Sequence, residues 1–288
     1  MNVFESRYAQ LGHPVKPISL LPSIRVNTLR TTEALLVARL EKKGVQLEKI
    51  PFAPGYWVKH TPFSLGASIE YLLGHIMPQE AAAQLPVTVL DPKPGEKVLD
   101  MAAAPGGKTT QIAALMHNKG ILVAVDKNNL RIPSLKNNLE RMGVTNSIVF
   151  NTAVSKLIEW KMMFDKVLLD APCMGNYAQK DWFNMHSVKE LDRNMLTQKQ
   201  LLSAAVQLVK RNGTIVYSTC SVEPEEDEML IDWALRTLPV RCVDTGLQIG
   251  VPGLTKVFGK GLSADVMHTR RIWPGKTEGF FVAKLVKK

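Results

Sequence analysis

The chain has 288 residues, 45% of them hydrophobic, and carries 36 lysines and arginines against 26 acids, a net charge of +10. That apolar content builds a sizeable core and excludes a chain disordered over most of its length, and the lack of any apolar run near about 20 residues excludes a membrane-spanning helix. The basic balance fits a polyanionic partner, while three cysteines without metal-ligand spacing, Cys173, Cys220 and Cys242, argue for a reducing compartment and against a zinc site.

Residues 1–90 read as a small α+β module. Met1 to Gln10 carries Glu5 and Arg7 and no apolar run, so no secretory signal is expected and a cytoplasmic location is. Ser23 to Asn27 reads as a strand. Thr31-Thr32-Glu33 starts a helix with Leu35, Leu36, Val37 and Leu40 on its apolar face and Gly44 at its end. Val45–Ile50 and Tyr56–Val58 are short strands between turns at Pro51, Pro54 and Gly55.

Residues 91–288 then alternate strand and helix. Lys97 to Asp100, Ile121 to Val125, Ser147 to Phe150, Lys166 to Leu169 and Thr214 to Ser218 are strands, and Gly279 to Val286 is the last. Helices are expected from Thr110 to Met116, from Asn128 to Met142 with an early interruption at Pro133, from Lys189 to Arg211, and from Glu225 to Thr237 with acids in its first turn, as the helix dipole prefers. Leu191, Leu196, Leu201, Leu202, Ala205 and Leu208 form the inward stripe of the long helix. The alternation predicts an α/β fold: a mostly parallel, doubly wound sheet with helices on both faces.

The first strand leads into Asp100-Met-Ala-Ala-Ala-Pro-Gly-Gly-Lys-Thr109. A strand, a small-residue loop and a helix aim backbone N–H groups and a helix N-terminus at a ligand. Ala102, Ala103, Ala104, Pro105, Gly106 and Gly107 leave the backbone open to close approach. Two ligand classes compete for this loop. Gly107-Lys108-Thr109 ends a phosphate-cradling P-loop pattern, and Val167-Leu-Leu-Asp170 passes for its magnesium-binding strand, but Ala102 stands where the first glycine belongs and Pro105 lacks an N–H. An adenosyl cofactor needs no phosphate cradle. It needs an acid for the ribose hydroxyls, and Asp126 closes the second strand, where it also suits a helix cap.

Two cysteines sit just past strand ends, in Asp170-Ala-Pro-Cys173 and Ser218-Thr-Cys-Ser221, where open α/β sheets bind ligands. Cys242, in the strand-like run Val240-Arg-Cys-Val243, reads as a small buried hydrophobe.

Together these three motifs, in this order and spacing, resemble the Nop/Sun family of RNA cytosine-5 methyltransferases, the tRNA enzymes of archaeal type most closely. Arg25-Val-Asn-Thr28, Pro78-Gln-Glu80, Pro224-Glu-Glu-Asp227 and Thr277-Glu-Gly-Phe-Phe281 are similar to family segments too, so the resemblance covers nearly the whole chain. It implies a Rossmann-like class I methyltransferase domain, S-adenosylmethionine as cofactor, and a cytosine in RNA as substrate, tRNA being expected and rRNA the alternative. A P-loop nucleotide hydrolase and a non-catalytic RNA-binding protein are the readings from other classes. By resemblance Cys220 is the nucleophile, Cys173 assists product release, Asp170 holds the ring-nitrogen edge, and Lys108 reaches the base. Carbon 5 of cytosine is a poor nucleophile, and a thiolate at carbon 6 makes it an enamine that attacks a sulfonium methyl.

The cofactor set implied is the loop 102–108 with Asp126, Arg131, Asn151 and Asp170. Here the chain departs from the family: Phe150-Asn-Thr-Ala-Val154 has no acid near the adenine, so Asn151 is expected to serve. Met174 replaces a small residue, and Arg270-Arg-Ile-Trp-Pro274 lacks a histidine often found nearby. Arg25, Arg30, Lys42, Lys43, Lys49, Lys59, Lys127, Arg131 and Lys136 are candidate RNA contacts, and Tyr56, Trp57, Trp182 and Phe183 candidate base-stacking groups. The chain is expected to work as a monomer, without metal or membrane, with residues 1–90 as its RNA-binding module.

Overall fold

The structure, a computed structural model, describes residues 2–288; Met1, which opens the expected N-terminal module, lies outside them. Helix α1 (Val3–Gln10) opens on a capping box made by Asn2 and Glu5. Strands β1 (Ser23–Val26), β2 (Gln46–Lys49), β3 (Gly55–His60) and β4 (Ile76–Pro78) then form an antiparallel sheet in the order β2-β3-β1-β4. Helix α2 (Glu33–Lys42), capped by the Thr32 side chain, packs Leu36 and Leu40 against Ile24, Val26 and Val58. Leu35 does not join them: it is 62% exposed, because only residues a full turn apart share one helix face. The short helix α3 (Ile69–Leu72) precedes β4.

All four residues of β1 are buried. One face meets α2, and the other faces the main domain. Asn27 ties the two together, donating from Nδ2 to the carbonyls of Gly74 at 2.7 Å and Met142 at 2.8 Å. Gly74 holds φ at +70°, and a Cβ there would lie 2.0 Å from the Arg141 carbonyl oxygen, so the docking needs glycine.

The chain continues through α4 (Leu85–Leu90), β5 (Lys97–Asp100), α5 (Gly107–Leu115), β6 (Ile121–Val125), α6 (Ile132–Met142), β7 (Ser147–Phe150), α7 (Ser155–Glu159), β8 (Phe164–Asp170), α8 (Trp182–Met185), α9 (Val188–Leu208) and β9 (Val209–Thr219). After α10 (Glu228–Thr237) come β10 (Val240–Val243), the two-residue strands β11 (Val251–Pro252), β12 (Lys256–Val257) and β13 (Lys260–Gly261), then β14 (Arg270–Ile272) and β15 (Phe280–Lys287). The main sheet runs β11-β14-β15-β9-β8-β5-β6-β7, with β10 on β15. Strands β5 to β9 are mutually parallel, and β15 returns antiparallel beside β9. This is the mostly parallel, doubly wound α/β sheet that the alternation predicted. Because β5 lies between β6 and β8, the order reverses there, and the crevice at its carboxyl end is where open α/β sheets take ligands.

Alternate residues of each strand feed opposite faces. Leu99, Val123, Val167 and Leu169 pack on Leu202, Val206 and Ile231 from α9 and α10. Val98, Leu122, Leu168 and Val216 pack on Ile112 of α5, Leu85 and Leu90 of α4, and Trp57 of β3. One core thus runs continuously into residues 50–90.

Three expectations need correction. Helix α9 stops at Leu208, not Arg211: Val209 pairs with Phe164 and the chain turns directly into β9. Leu196, expected inward, is 60% exposed. Helix α10 begins at Glu228 rather than Glu225, because residues 224–227 make a turn whose acids are engaged by side chains elsewhere. No helix among the described residues is long and apolar enough to cross a membrane.

Candidate active site

Asp100 ends β5 fully buried. Its Oδ2 accepts from the Thr109 hydroxyl at 2.7 Å, and its Oδ1 has no partner. Burial pushes this carboxyl up to about 6, against the pull of the Thr109 hydrogen bond. The loop then reaches Gly106, the N-cap of α5, at φ +104°. A side chain there would be strained, and its Cβ would press on Leu135 at 3.1 Å. The helix starts at Gly107, three residues before the expected Thr110, so its first N–H groups belong to the loop itself.

At the end of β6 the carboxylate of Asp126 accepts from the Ala104 N–H at 3.2 Å and the Asn128 N–H at 2.9 Å. Arg131 lies 3.5 Å from the same carboxylate and donates to the Ala104 carbonyl. Asn151, from the end of β7, donates to the Asp126 carbonyl at 2.9 Å. The loop, Asp126, Arg131 and Asn151 are therefore brought together around one crevice.

A second group gathers at the ends of β5, β8 and β9. The Lys108 ammonium donates to Asp170 Oδ2 at 2.7 Å, and the Ser218 hydroxyl to Asp170 Oδ1 at 2.8 Å. Burial pulls the Lys108 ammonium down, but Asp170, Cys220 and Asp100 outweigh that and raise it, so it stays a cation. This pairing also turns Lys108 toward β8, away from the role it would have in a phosphate cradle.

Beside this ion pair the sulfurs of Cys173 and Cys220 stand 3.4 Å apart, both half-buried and both free thiols. The hydrogen bond with Cys220, then burial, pushes the Cys173 thiol well up. The thiolate form of Cys173 is therefore disfavoured, and either sulfur can donate in the contact between the two. Cys242 is buried in β10, where burial pushes it up to about 12, and takes no part.

Motif reading missed several supports. Asn176 donates from Nδ2 to the Cys220 carbonyl at 2.7 Å and to the Gly279 carbonyl at 3.2 Å. Phe280 puts its ring 5.6 Å from the Lys108 ammonium. Ser218 was in a recognised motif, but nothing marked it as the partner of Asp170.

Some candidate RNA contacts fall elsewhere. Arg25 is 2% exposed and cannot touch RNA; it donates to Gln79 Oε1 at 2.8 Å, the Gly107 carbonyl at 3.1 Å and Thr110 Oγ1 at 2.8 Å. Burial without a carboxylate partner brings its pKa down to about 9. It braces the first turn of α5 instead. Trp57 and Trp182 are core residues, and Trp182 spends its Nε1–H on the Met174 carbonyl at 2.8 Å. Tyr56 bonds Glu33, and Phe183 stacks on Tyr177. Lys43, Lys49 and Lys59 are exposed but paired with Glu70, Glu33 and Glu48. Arg30, Lys42, Lys127 and Lys136 are exposed.

The family model for 16S rRNA methyltransferase RsmB/F matches residues 87–286. The 25S rRNA (cytosine-C(5))-methyltransferase of Schizosaccharomyces pombe is 42% identical over 92% of this chain, which spans 46% of that longer protein. The tRNA (cytosine(49)-C(5))-methyltransferase of Pyrococcus abyssi is 39% identical over 98% of this chain and 92% of its own length. A methyltransferase homologue protein from Pyrococcus horikoshii has the same fold with a TM-score of 0.87 at 42% identity, over 95% of this chain and 88% of that one.

Proposed function

The chain belongs to the 16S rRNA methyltransferase RsmB/F family, and on that footing we propose that it methylates carbon 5 of a cytosine in RNA, using S-adenosylmethionine and a covalent cysteine adduct. The observation that carries the proposal is the thiol pair at 3.4 Å beside the Lys108–Asp170 ion pair. tRNA is the favoured substrate because the tRNA (cytosine(49)-C(5))-methyltransferase of Pyrococcus abyssi matches 98% of this chain at 39% identity.

The first crevice fits an adenosyl group. The loop 102–107 has no side chain larger than proline, with Ala102, Pro105 and Gly107 accessible; Asp126 stands at the end of β6 with Arg131 and Asn151 around it, and the buried Asp100 Oδ1 is left without a donor. Asp126 would hold the ribose hydroxyls and Asn151 the adenine side. When bound, S-adenosylmethionine supplies an electrophilic methyl group.

The second group acts on the base. Cys220 adds its sulfur to carbon 6, which loads electron density onto the ring. Lys108, held as a cation, offsets the charge that builds there, and Asp170 engages the ring-nitrogen edge. A sulfur bonded to carbon carries no charge, so the adduct removes the repulsion that opposes a thiolate at Cys173. Once carbon 5, now an enamine carbon, has taken the methyl group and become tetrahedral, Cys173 loses its own proton to solvent and takes the proton from carbon 5. The bond from carbon 6 to the Cys220 sulfur breaks, and Cys220 leaves as thiolate.

The test is methyl incorporation from S-adenosylmethionine into unmodified tRNA and rRNA transcripts, with the position read by bisulfite sequencing. Methylated cytosine in tRNA is expected; incorporation only into rRNA would move the substrate, and binding of ATP in place of S-adenosylmethionine would overturn the reading. The cofactor half is checked separately. Asp126→Ala should weaken S-adenosylmethionine binding by on the order of 1–3 kcal/mol through lost charge-assisted hydrogen bonds. Unchanged affinity in calorimetry, with the protein folded, would leave Asp126 as the turn-former of Ala104 and Asn128.

A further inference from the structure

Four consecutive acids, Glu225 to Glu228, follow Pro224, and all four are engaged. Glu225 pairs with Arg7 at 2.6 Å. Asp227 accepts from the Thr219 hydroxyl at 2.6 Å and pairs with Arg271 at 3.1 Å, and Glu228 also pairs with Arg271. Glu226 alone meets no cation through its hydrogen bonds. It is fully buried, and its carboxylate accepts from the Met174 N–H at 3.3 Å to each oxygen, from Asn194 Nδ2 at 3.0 Å and from Gln198 Nε2 at 3.1 Å. These partners are all donors, which suits an ionised carboxylate, since a protonated one would need an acceptor.

The geometry encloses one residue. Met174 N–H lies just after Cys173, and Gln198 Nε2 also donates to the carbonyl of Pro172, just before it, at 3.0 Å. Glu226 and Gln198 therefore grip the peptide groups on both sides of Cys173. The Glu226 backbone reaches the other thiol's strand, since its carbonyl accepts from the Tyr217 hydroxyl at 2.6 Å, three residues before Cys220.

We propose that Glu226 is a positioning residue for the two-cysteine reaction: it fixes the Cys173 loop against the Cys220 strand, so that the Cys173 thiol is held against the Cys220 sulfur while Cys220 attacks. The proposal rests on the assignment of Cys220 as nucleophile. Cys173 faces Cys220 and Tyr217 from β9 and Glu226 from the turn before α10, with the Asp170–Lys108 pair beyond Cys220. The Cys173 thiol is raised first by its hydrogen bond with Cys220, then by burial and the Cys220 charge, and after those by Glu226. Glu226 itself is raised by burial and drawn back by its hydrogen bonds. The consequence is an order of events. Two thiols of equal acidity at this distance would share one negative charge, and half of the molecules would carry it on the wrong sulfur.

The test follows thiol alkylation by iodoacetamide against pH in the full chain carrying Cys220→Ser and Cys242→Ser, so that Cys173 is the remaining thiol. Adding Glu226→Gln should move the alkylation midpoint down by about one pH unit, an increase of roughly tenfold in rate near neutrality. An unshifted profile in a folded protein overturns the proposal. Should Glu226→Gln fail to fold, Gln198→Ala is read in the same assay. It frees the Pro172 carbonyl, so a several-fold faster alkylation of Cys173 supports the proposal and an unchanged rate overturns it. The assay uses neither RNA nor cofactor, so its failure leaves methyl transfer standing, whereas absence of methylated RNA leaves the Cys173 result intact.

Discussion

Cys220→Ala is expected to give neither methylated RNA nor a covalent RNA adduct, whereas Cys173→Ala should accumulate an adduct that survives denaturing electrophoresis. The activity lost with Cys220 should be on the order of 10⁴-fold or more, the scale on which a nucleophile's removal registers. The asymmetry follows from the site. Two sulfurs 3.4 Å apart do not both become thiolates, and the hydrogen bond with Cys220 and burial push the Cys173 thiol well up. Cys220 is also among the groups that raise the Lys108 ammonium, after Asp170, and Lys108 is the cation that the proposed reaction would use to offset ring charge. Removing Cys173 leaves attack and methyl transfer possible but takes away the group that accepts the carbon 5 proton, so the adduct stalls. The opposite outcome, an adduct trapped by Cys220→Ala and none with Cys173→Ala, would make the Pro-Cys thiol the nucleophile and reverse both roles.

Arg271→Met should cost about 3–5 kcal/mol of stability, as removal of one partner from a buried ion pair does, seen as a drop on the order of 10 °C in thermal midpoint. Arg271 is fully buried and donates to Asp227, Glu228 and the Val222 carbonyl. Burial pulls the guanidinium down, but Glu228 and Asp227 outweigh it and raise it. Burial raises Asp227 well up even with Arg271 beside it. A carboxyl raised on folding contributes stability that is present at low pH and lost as pH rises through its folded value. Without Arg271 that value climbs further, so the variant should lose less at mildly acidic pH than at alkaline pH when both proteins are unfolded by urea. Equal losses across pH would mean the two acids are compensated by something other than Arg271.

Much of this was legible in the sequence. Strands β5, β6 and β8 were readable because each is an apolar run with an acid at or just past its end, and in a parallel sheet such ends converge on one edge. That convergence made Lys108, Asp126, Asp170, Cys173 and Cys220 readable as a site before their distances were known. Other features carried no local signal. The strands from β11 to β14 hold only two or three residues each, too short for any period. Arg25 and Trp182 looked like surface groups by type; both are buried because partners distant in sequence, Gly107 and Thr110 for one and Met174 for the other, accept their N–H groups. The acids 225–227 looked like a favourable first helical turn. Their partners lie in α1, α9, β9 and β14, and satisfying those holds the chain out of the helix until Glu228.

Helix α1 has a consequence for how the chain is made. Phe4 and Tyr8 pack with Trp182 and Val222, Tyr8 bonds Glu223, and Arg7 reaches Glu223 and Glu225. Helix α1 thus closes over a turn that lies 215 residues further along the chain. The N-terminal sheet and β5 to β7 can assemble while translation proceeds, but α1 has nothing to close on until the Cys220 strand and its acidic turn arrive. A nascent chain halted before that point has the loop after β5 but no assembled thiol pair, so the two sulfurs meet only once the chain has passed Cys220.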